Sequence, residues 1–189
     1  MRRLFISAGH SVTGSDKGVP PTLFSRGFSE GELADQFVRL LKSELEVMGV
    51  PVYTDKNSNA LSDTLLHLKN IFKPQPKDIL IDVHFNAFNK VASGTECIVP
   101  KNPSVKESQI AQNICKLLSE YGFKNRGVKD ETRTARKSLG WMRPQGENVL
   151  IELCFMDNQK DMDIYWKKLP EMVYTLAILL KKEYENAVV

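Results

Sequence analysis

Short apolar runs and longer amphipathic stretches alternate along this chain. The residues about 3–7, "DILIDVHF" at 78–85, "GTECIVP" at 94–100 and "NVLIELCF" at 148–155 are compact and apolar, so they predict strands. "VPVY" at 50–53 predicts a shorter one. Between the first and second strands, Leu33, Ala34, Phe37, Val38, Leu40, Leu41 and Leu45 recur at helical spacing. Ser29 stands before them as an N-cap and Gly49 after them as a stop. A second helix is predicted from Ser62, as N-cap, to Phe72, because Pro74 and Pro76 forbid its continuation. A third covers 106–121, closed by Gly122, and helical pattern returns over 159–186 in two pieces parted near Pro170. Residues 11–29, with Gly, Pro and Ser, read as a loop, of a length that in a compact domain is usually functional or disordered. "KDETRTARK" at 129–137 reads as a solvated loop, or as one flanking a cleft.

Strands alternating with helices predict an α/β fold with a largely parallel sheet. No repeat, low-complexity tract or linker divides the chain, and Pro74-Gln75-Pro76 is only a turn, so residues 1–189 are expected to be one domain. The formal net charge of +3 is mild and argues against nucleic-acid binding, which wants a stronger basic bias on one face. No segment has the eighteen or so apolar residues of a membrane span. Met1-Arg2-Arg3 is followed by too short an apolar run for a signal peptide, so a soluble product without its own export signal is expected. Cys97, Cys115 and Cys154 are widely spaced and form no CxxC pair, which predicts buried free thiols rather than a disulfide framework or thiolate metal site.

The chemistry gathers where the strands end. In open α/β sheets, sites form beyond the carboxyl ends of the strands. His10 follows the first strand, His84 ends "ILIDVHF", Glu152 lies in "VLIEL", and Glu30 opens the first helix. Period-two alternation puts Asp82, His84 and Asn86 on one face and Val83 and Phe85 on the other. Buried polar groups need partners, and a metal with its supporting residues would supply them. Two histidines and a carboxylate are a common catalytic zinc set that leaves a fourth position for water, while a second carboxylate is needed to move protons. Glu152, flanked by Leu150, Ile151, Leu153 and Phe155, would be expensive to bury unpaired. Cys154, on the same side as Glu152 by simple alternation, is expected to be able to line the site. His67, within "TLLHLKNIF", has no motif around it and reads as an ordinary histidine.

These residues lie in segments that together resemble the zinc-dependent N-acetylmuramoyl-L-alanine amidases. The resemblance rests on "ISAGH" at 6–10, Glu30 followed by a helix and "GVPVYTD" at 49–55, "DVHFNAF" at 82–88 with Gly94 and Glu96 after it, "NRGVK" at 125–129, and "VLIELCFMDN" at 149–158. It implies a twisted sheet of about six strands flanked by helices, one Zn2+ held by His10, Glu30 and His84, and Glu152 as the catalytic carboxylate. Glu30 is preferred to Glu32 because its distance to Gly49 fits the family helix. The implied substrate is peptidoglycan, cut between the lactyl group of muramic acid and the first L-alanine of the stem. Asn86 and Arg143 are expected to hydrogen-bond it, and Trp141 is either core or a sugar platform.

Two departures stand out. The family usually has a glycine-rich stretch with an acidic residue straight after the first histidine, whereas residues 11–29 are longer and poorer in glycine. Serine is usual where Asp82 stands, so Asp82 is expected either to orient a metal-bound histidine or to be a surface acid at a frayed strand end. No separate wall-binding module is visible, a monomer is expected, and the role is that of a phage lysin or lysis-associated enzyme reaching the wall after release, or of a truncated secreted enzyme. The rival readings are a non-cutting wall-binding module of the same fold and a zinc peptidase with another amide substrate.

Overall fold

"ILIDVHFN" is the strand around which the molecule is assembled. In the computed structural model, which describes residues 2–55 and 60–186, it forms β3 (Ile79–Asn86). Its neighbours are β1 (Leu4–Ala8) and β6 (Glu147–Phe155), both parallel to it. β2 (Val52–Tyr53) flanks β1, while β4 (Thr95–Val99) and β5 (Asn125–Asp130) lie beyond β6. The order is β2-β1-β3-β6-β4-β5, parallel except where β4 meets β6. Because β1, β3 and β6 run the same way side by side, their carboxyl ends share one rim.

The sheet's two faces are covered unequally. Leu4, Ile6, Ile79, Ile81, Val83, Val149 and Ile151 face α1 (Glu30–Val47), α3 (Val105–Ser119) and α4 (Gln159–Glu185), forming the larger core. Each such side chain contributes about 1.5–3 kcal/mol when fully buried. On the other face Phe5, Leu80, Ile98 and Leu150 lie under Leu68, Phe72, Trp141 and Met142. That smaller cluster, capped by α2 (Leu61–His67) and the turn at Gly140–Met142, ends where β3 and β6 become polar.

α1 starts at the expected N-cap: Ser29 N–H donates to Glu32, 2.8 Å, completing a capping box. Three expectations need correcting. α4 is one helix of 27 residues through Pro170. Pro170 sits on its exposed face while Leu169, Met172, Val173 and Leu176 continue one buried stripe, so packing outweighs the missing hydrogen bond. The second helix starts at Leu61 behind Ala60, not behind Ser62, and its last turn widens to a π-helix over Leu68–Phe72. β5 was not foreseen: its polar "NRGVKD" belongs to a half-exposed strand at the sheet's edge, where apolar alternation is weak.

Candidate active site and metal centre

At the shared rim the strands bring two histidines and a carboxylate onto one point. His10 stands just past β1, His84 near the end of β3, and Glu30 in the first turn of α1. One ligand atom from each lies within 4.8 Å of the others. His84 Nδ1 is 3.1 Å from Glu30 Oε1, and His10 Nε2 is 3.4 Å from Glu30 Oε2. Ligands at the apices of a zinc tetrahedron with bonds of about 2.0–2.1 Å stand about 3.3 Å apart, close to both histidine–carboxylate distances, so the group could hold such an ion. Each imidazole turns its other nitrogen to an aspartate: His10 Nδ1 to Asp16, 2.9 Å, and His84 Nε2 to Asp82, 3.1 Å. That is how carboxylates fix the ring and tautomer of metal-binding histidines. The approach is tight. A Cβ on Gly9 would fall 1.9 Å from His84 Nε2, and one on Gly18 (φ 67°) would fall 2.4 Å from Glu30 Oε2.

Residues 11–29 contain no helix or strand up to the start of α1, yet they are built into the site. Val19 N–H donates to Glu30 Oε2, 2.9 Å, and Glu30 N–H donates back to Val19 O, 2.9 Å. Thr22 Oγ1 donates to Met156 O, 2.5 Å, and Trp166 Nε1 donates to Phe24 O, 3.1 Å, so the loop is tied to α4 and the end of β6. Asp16, within this loop, is the carboxylate that meets His10. Its six-residue separation from His10 hides a partnership that Ser11 N–H donating to Asp16 O, 2.8 Å, brings about by folding the loop back.

The electrostatics match a site arranged around a cation. Burial opposes the charge on Glu30, but hydrogen bonds to His10 and His84 hold its carboxyl well below the usual range. Burial likewise opposes protonation of His84, yet Asp82 and Glu30 outweigh it and raise its pKa well above that of a free imidazole. Glu152 behaves oppositely: burial, then the neighbouring Glu30, Glu96 and Asp82, push its pKa up to about 7, against the pull of His84. It stands directly across from His84 in the β3–β6 ladder, and its Oε2 is buried with no hydrogen-bond partner among the described residues. Asp82 Oδ1 is in the same condition.

The cleft over these groups has a volume of about 800 Å³. Asn86 lines it and donates to Glu96, 3.4 Å. Arg143 is not among its lining residues and donates to Ser138 Oγ, 3.0 Å, a residue that does line it. Trp141 borders the cleft but is only 1 % exposed, which makes it core rather than platform. His67 stays outside, its ring 5.8 Å from that of Phe5. Cys154 also departs from expectation. Between Glu152 and Phe155 β6 carries one residue more than β3 does opposite, so alternation slips: Phe155 faces the cleft and Cys154 Sγ faces Met162, 4.0 Å away in the helix-covered core. Cys97 and Cys115 are buried free thiols as well.

Comparison with known proteins agrees with this geometry. The family model for N-acetylmuramoyl-L-alanine amidase matches residues 4–171, so the chain belongs to that family. A cell wall amidase of Bacillus anthracis, described as uncharacterized, is 28 % identical over 172 residues, covering 85 % of this chain. The chain spans only 31 % of that relative's length. The catalytic domain of the CD27L endolysin targeting Clostridia difficile superposes with a TM-score of 0.69 at 25 % identity, covering 98 % of each chain. The amidase Ami1 of Mycobacterium smegmatis shares the fold, with a TM-score of 0.77 at 14 % identity over 98 % of this chain and 97 % of its own.

Proposed function

We propose that this chain is a zinc-dependent wall-lytic enzyme that hydrolyses the amide between the lactyl group of N-acetylmuramic acid and the first L-alanine of the stem peptide. The observation that carries this reading is the buried Glu152 Oε2, without a partner among the described residues and set across from His84, one of three ligand-type groups that close on one point. His10 through Nε2, His84 through Nδ1 and the Glu30 carboxylate would hold the ion. Bound there, zinc supplies a water of pKa near 7 and polarises the scissile carbonyl. Asp16 and Asp82 keep the outer imidazole nitrogens protonated, so the inner ones offer lone pairs. Glu152 accepts a proton from the attacking water and delivers it to the departing alanine amine. Burial makes it a competent acid as well as a base near neutral pH. Asn86 lines the cleft, which supports its reading as a hydrogen-bonding partner of the muramyl peptide.

The test is digestion of purified peptidoglycan by the purified protein, with products read by mass spectrometry. Free stem peptides beginning in L-alanine, lost with a chelator and restored by zinc, are expected. Glycan fragments or internal peptide cuts in place of them would overturn the assignment.

A further inference from the structure

The two walls of the cleft carry opposite charge. The wall of β1, β3 and α1 bears the histidines and their carboxylates, whereas the wall of β5 and the segment after it bears Arg126, Lys129, Arg133 and Arg136. Part of that positive charge is structural. Arg126 Nε and Lys129 Nζ both donate to Glu96 Oε2, at 2.7 and 2.5 Å, and Glu96 lies opposite Glu152 in the β4–β6 ladder. One carboxylate between two cations leaves one positive charge in surplus. Arg133 is opposed by Asp130, whose carboxylate is already engaged in capping the turn at Glu131–Arg133. Arg136 makes no hydrogen bond or ion pair among the described residues.

The segment that presents these two arginines is closed on itself. The Glu131 carboxylate accepts from Leu139 N–H, 2.6 Å, and from Lys101 N–H, 3.3 Å, and Lys137 N–H donates to Thr134 O, 3.1 Å. So a tied loop, rather than a loose tail, holds guanidinium groups at the cleft. Their planar forks suit a carboxylate in particular. The cationic wall also begins close to the chemistry, since Arg126 and Lys129 reach Glu96 across from Glu152. Arg133 and Arg136 line the same cleft as Glu152, His10, Glu30 and His84.

We propose that this wall is a carboxylate subsite that reads the residue after L-alanine in the stem peptide. The inference rests on the amidase reading above and deepens it. Where that second residue is a glutamate joined through its γ-carboxyl, its α-carboxyl is either free, and anionic, or amidated, and neutral. Arg133 and Arg136 select the free acid. Arg126 and Lys129 brace Glu96, and removing either leaves a buried carboxylate short of a partner, so they are the wrong residues to test.

The experiment uses the whole zinc-loaded chain and a matched pair of muramyl tripeptides that differ only in a free or amidated second residue. Hydrolysis is measured as kcat/KM, and binding of the same pair to the Glu152→Gln variant by calorimetry. The parent is expected to favour the free acid about tenfold, as a charge-assisted contact at an accessible wall gives, and the preference is expected to shrink with added salt. In the double variant Arg133→Gln, Arg136→Gln the ratio is expected to fall toward one, with circular dichroism and melting unchanged. No preference in the parent, or the same preference in the double variant, overturns the subsite. If neither peptide is hydrolysed but binding still favours the free acid, the subsite stands and the amidase reading fails. If the double variant keeps the preference between tripeptides and loses only adsorption to whole walls, the cations serve another wall polyanion and the stem-peptide assignment is overturned.

Discussion

The two faces of the sheet use the same strands for different ends. On the face under α1, α3 and α4, Ile81 and Val83 are wholly buried apolar side chains. One residue along on the opposite face, Asp82 and His84 stand in the cleft. The first face holds the strands at fixed spacing, and the second, left open beyond Leu80 and Leu150, uses that spacing to place ligand-type groups. Rigidity on one side is therefore the condition for precision on the other. Substitutions on the two faces should consequently separate stability from chemistry.

The largest expected effect is on the open face. Glu152→Gln is expected to lower hydrolysis by about 10²–10⁴-fold, about 3–5 kcal/mol of barrier, with zinc content by elemental analysis unchanged. Near-parental turnover in a zinc-replete variant would remove Glu152 from the mechanism. On the covered face, Ile81→Ala is expected to cost about 2–5 kcal/mol in denaturant unfolding while the folded fraction keeps its zinc affinity. Loss of affinity without loss of stability there would break the separation of the faces. Asp82→Ser tests the reverse: zinc affinity, by competition with a chromophoric chelator, is expected to fall about 10–100-fold with little loss of stability. Asp16→Asn should have a smaller effect, because the Asp16 side chain is 47 % exposed against 3 % for Asp82 and solvent screens it.

A fourth prediction concerns pH. Glu152 titrates near 7 in the metal-free fold, against 4.5 ordinarily, so the folded chain holds its proton more tightly than the unfolded chain. That stabilisation is complete below pH 4.5 and is lost as pH rises through 7. Metal-free Glu152→Gln, which cannot ionise, is thus expected to gain about 2 kcal/mol on the parent between pH 5 and pH 8 by thermal unfolding. An equal difference at both pH values would show that burial does not perturb this carboxyl. The smallest effect is expected at the start of α1: Ser29→Ala, which removes a cap side chain, should cost about 1 kcal/mol in denaturant unfolding.

The sequence made the central strands and the site's inner ring legible for a physical reason. Polar residues that interrupt buried strands, as His84 and Glu152 do, have few explanations other than chemistry. Glu30 could be told from Glu32 only by spacing to Gly49, and the structure gives the two different work: Glu30 meets the histidines, while Glu32 closes the capping box. Features that depend on contacts between distant or irregular segments stayed hidden. Asp16 becomes a partner of His10 only when the loop folds back, and β5 becomes a strand only because β4 offers it an edge. Pro170 signalled a break that the continuous stripe beneath it overrode. Arg143 carried no comparable signal, and its guanidinium donates to Ser138 at the cleft's edge.

The extra residue in β6 also decides how the molecule meets oxidants. With unbroken alternation, a thiol would stand two residues from Glu152 and face the cleft, where it would compete for soft metals and oxidise readily. The slip instead puts an aromatic ring there and seals Cys154 against Met162. With Cys97 and Cys115 also buried, no thiol among the described residues is open to solvent. The three ligand-type groups offer nitrogen and oxygen alone, so their capacity to hold a metal does not depend on redox poise.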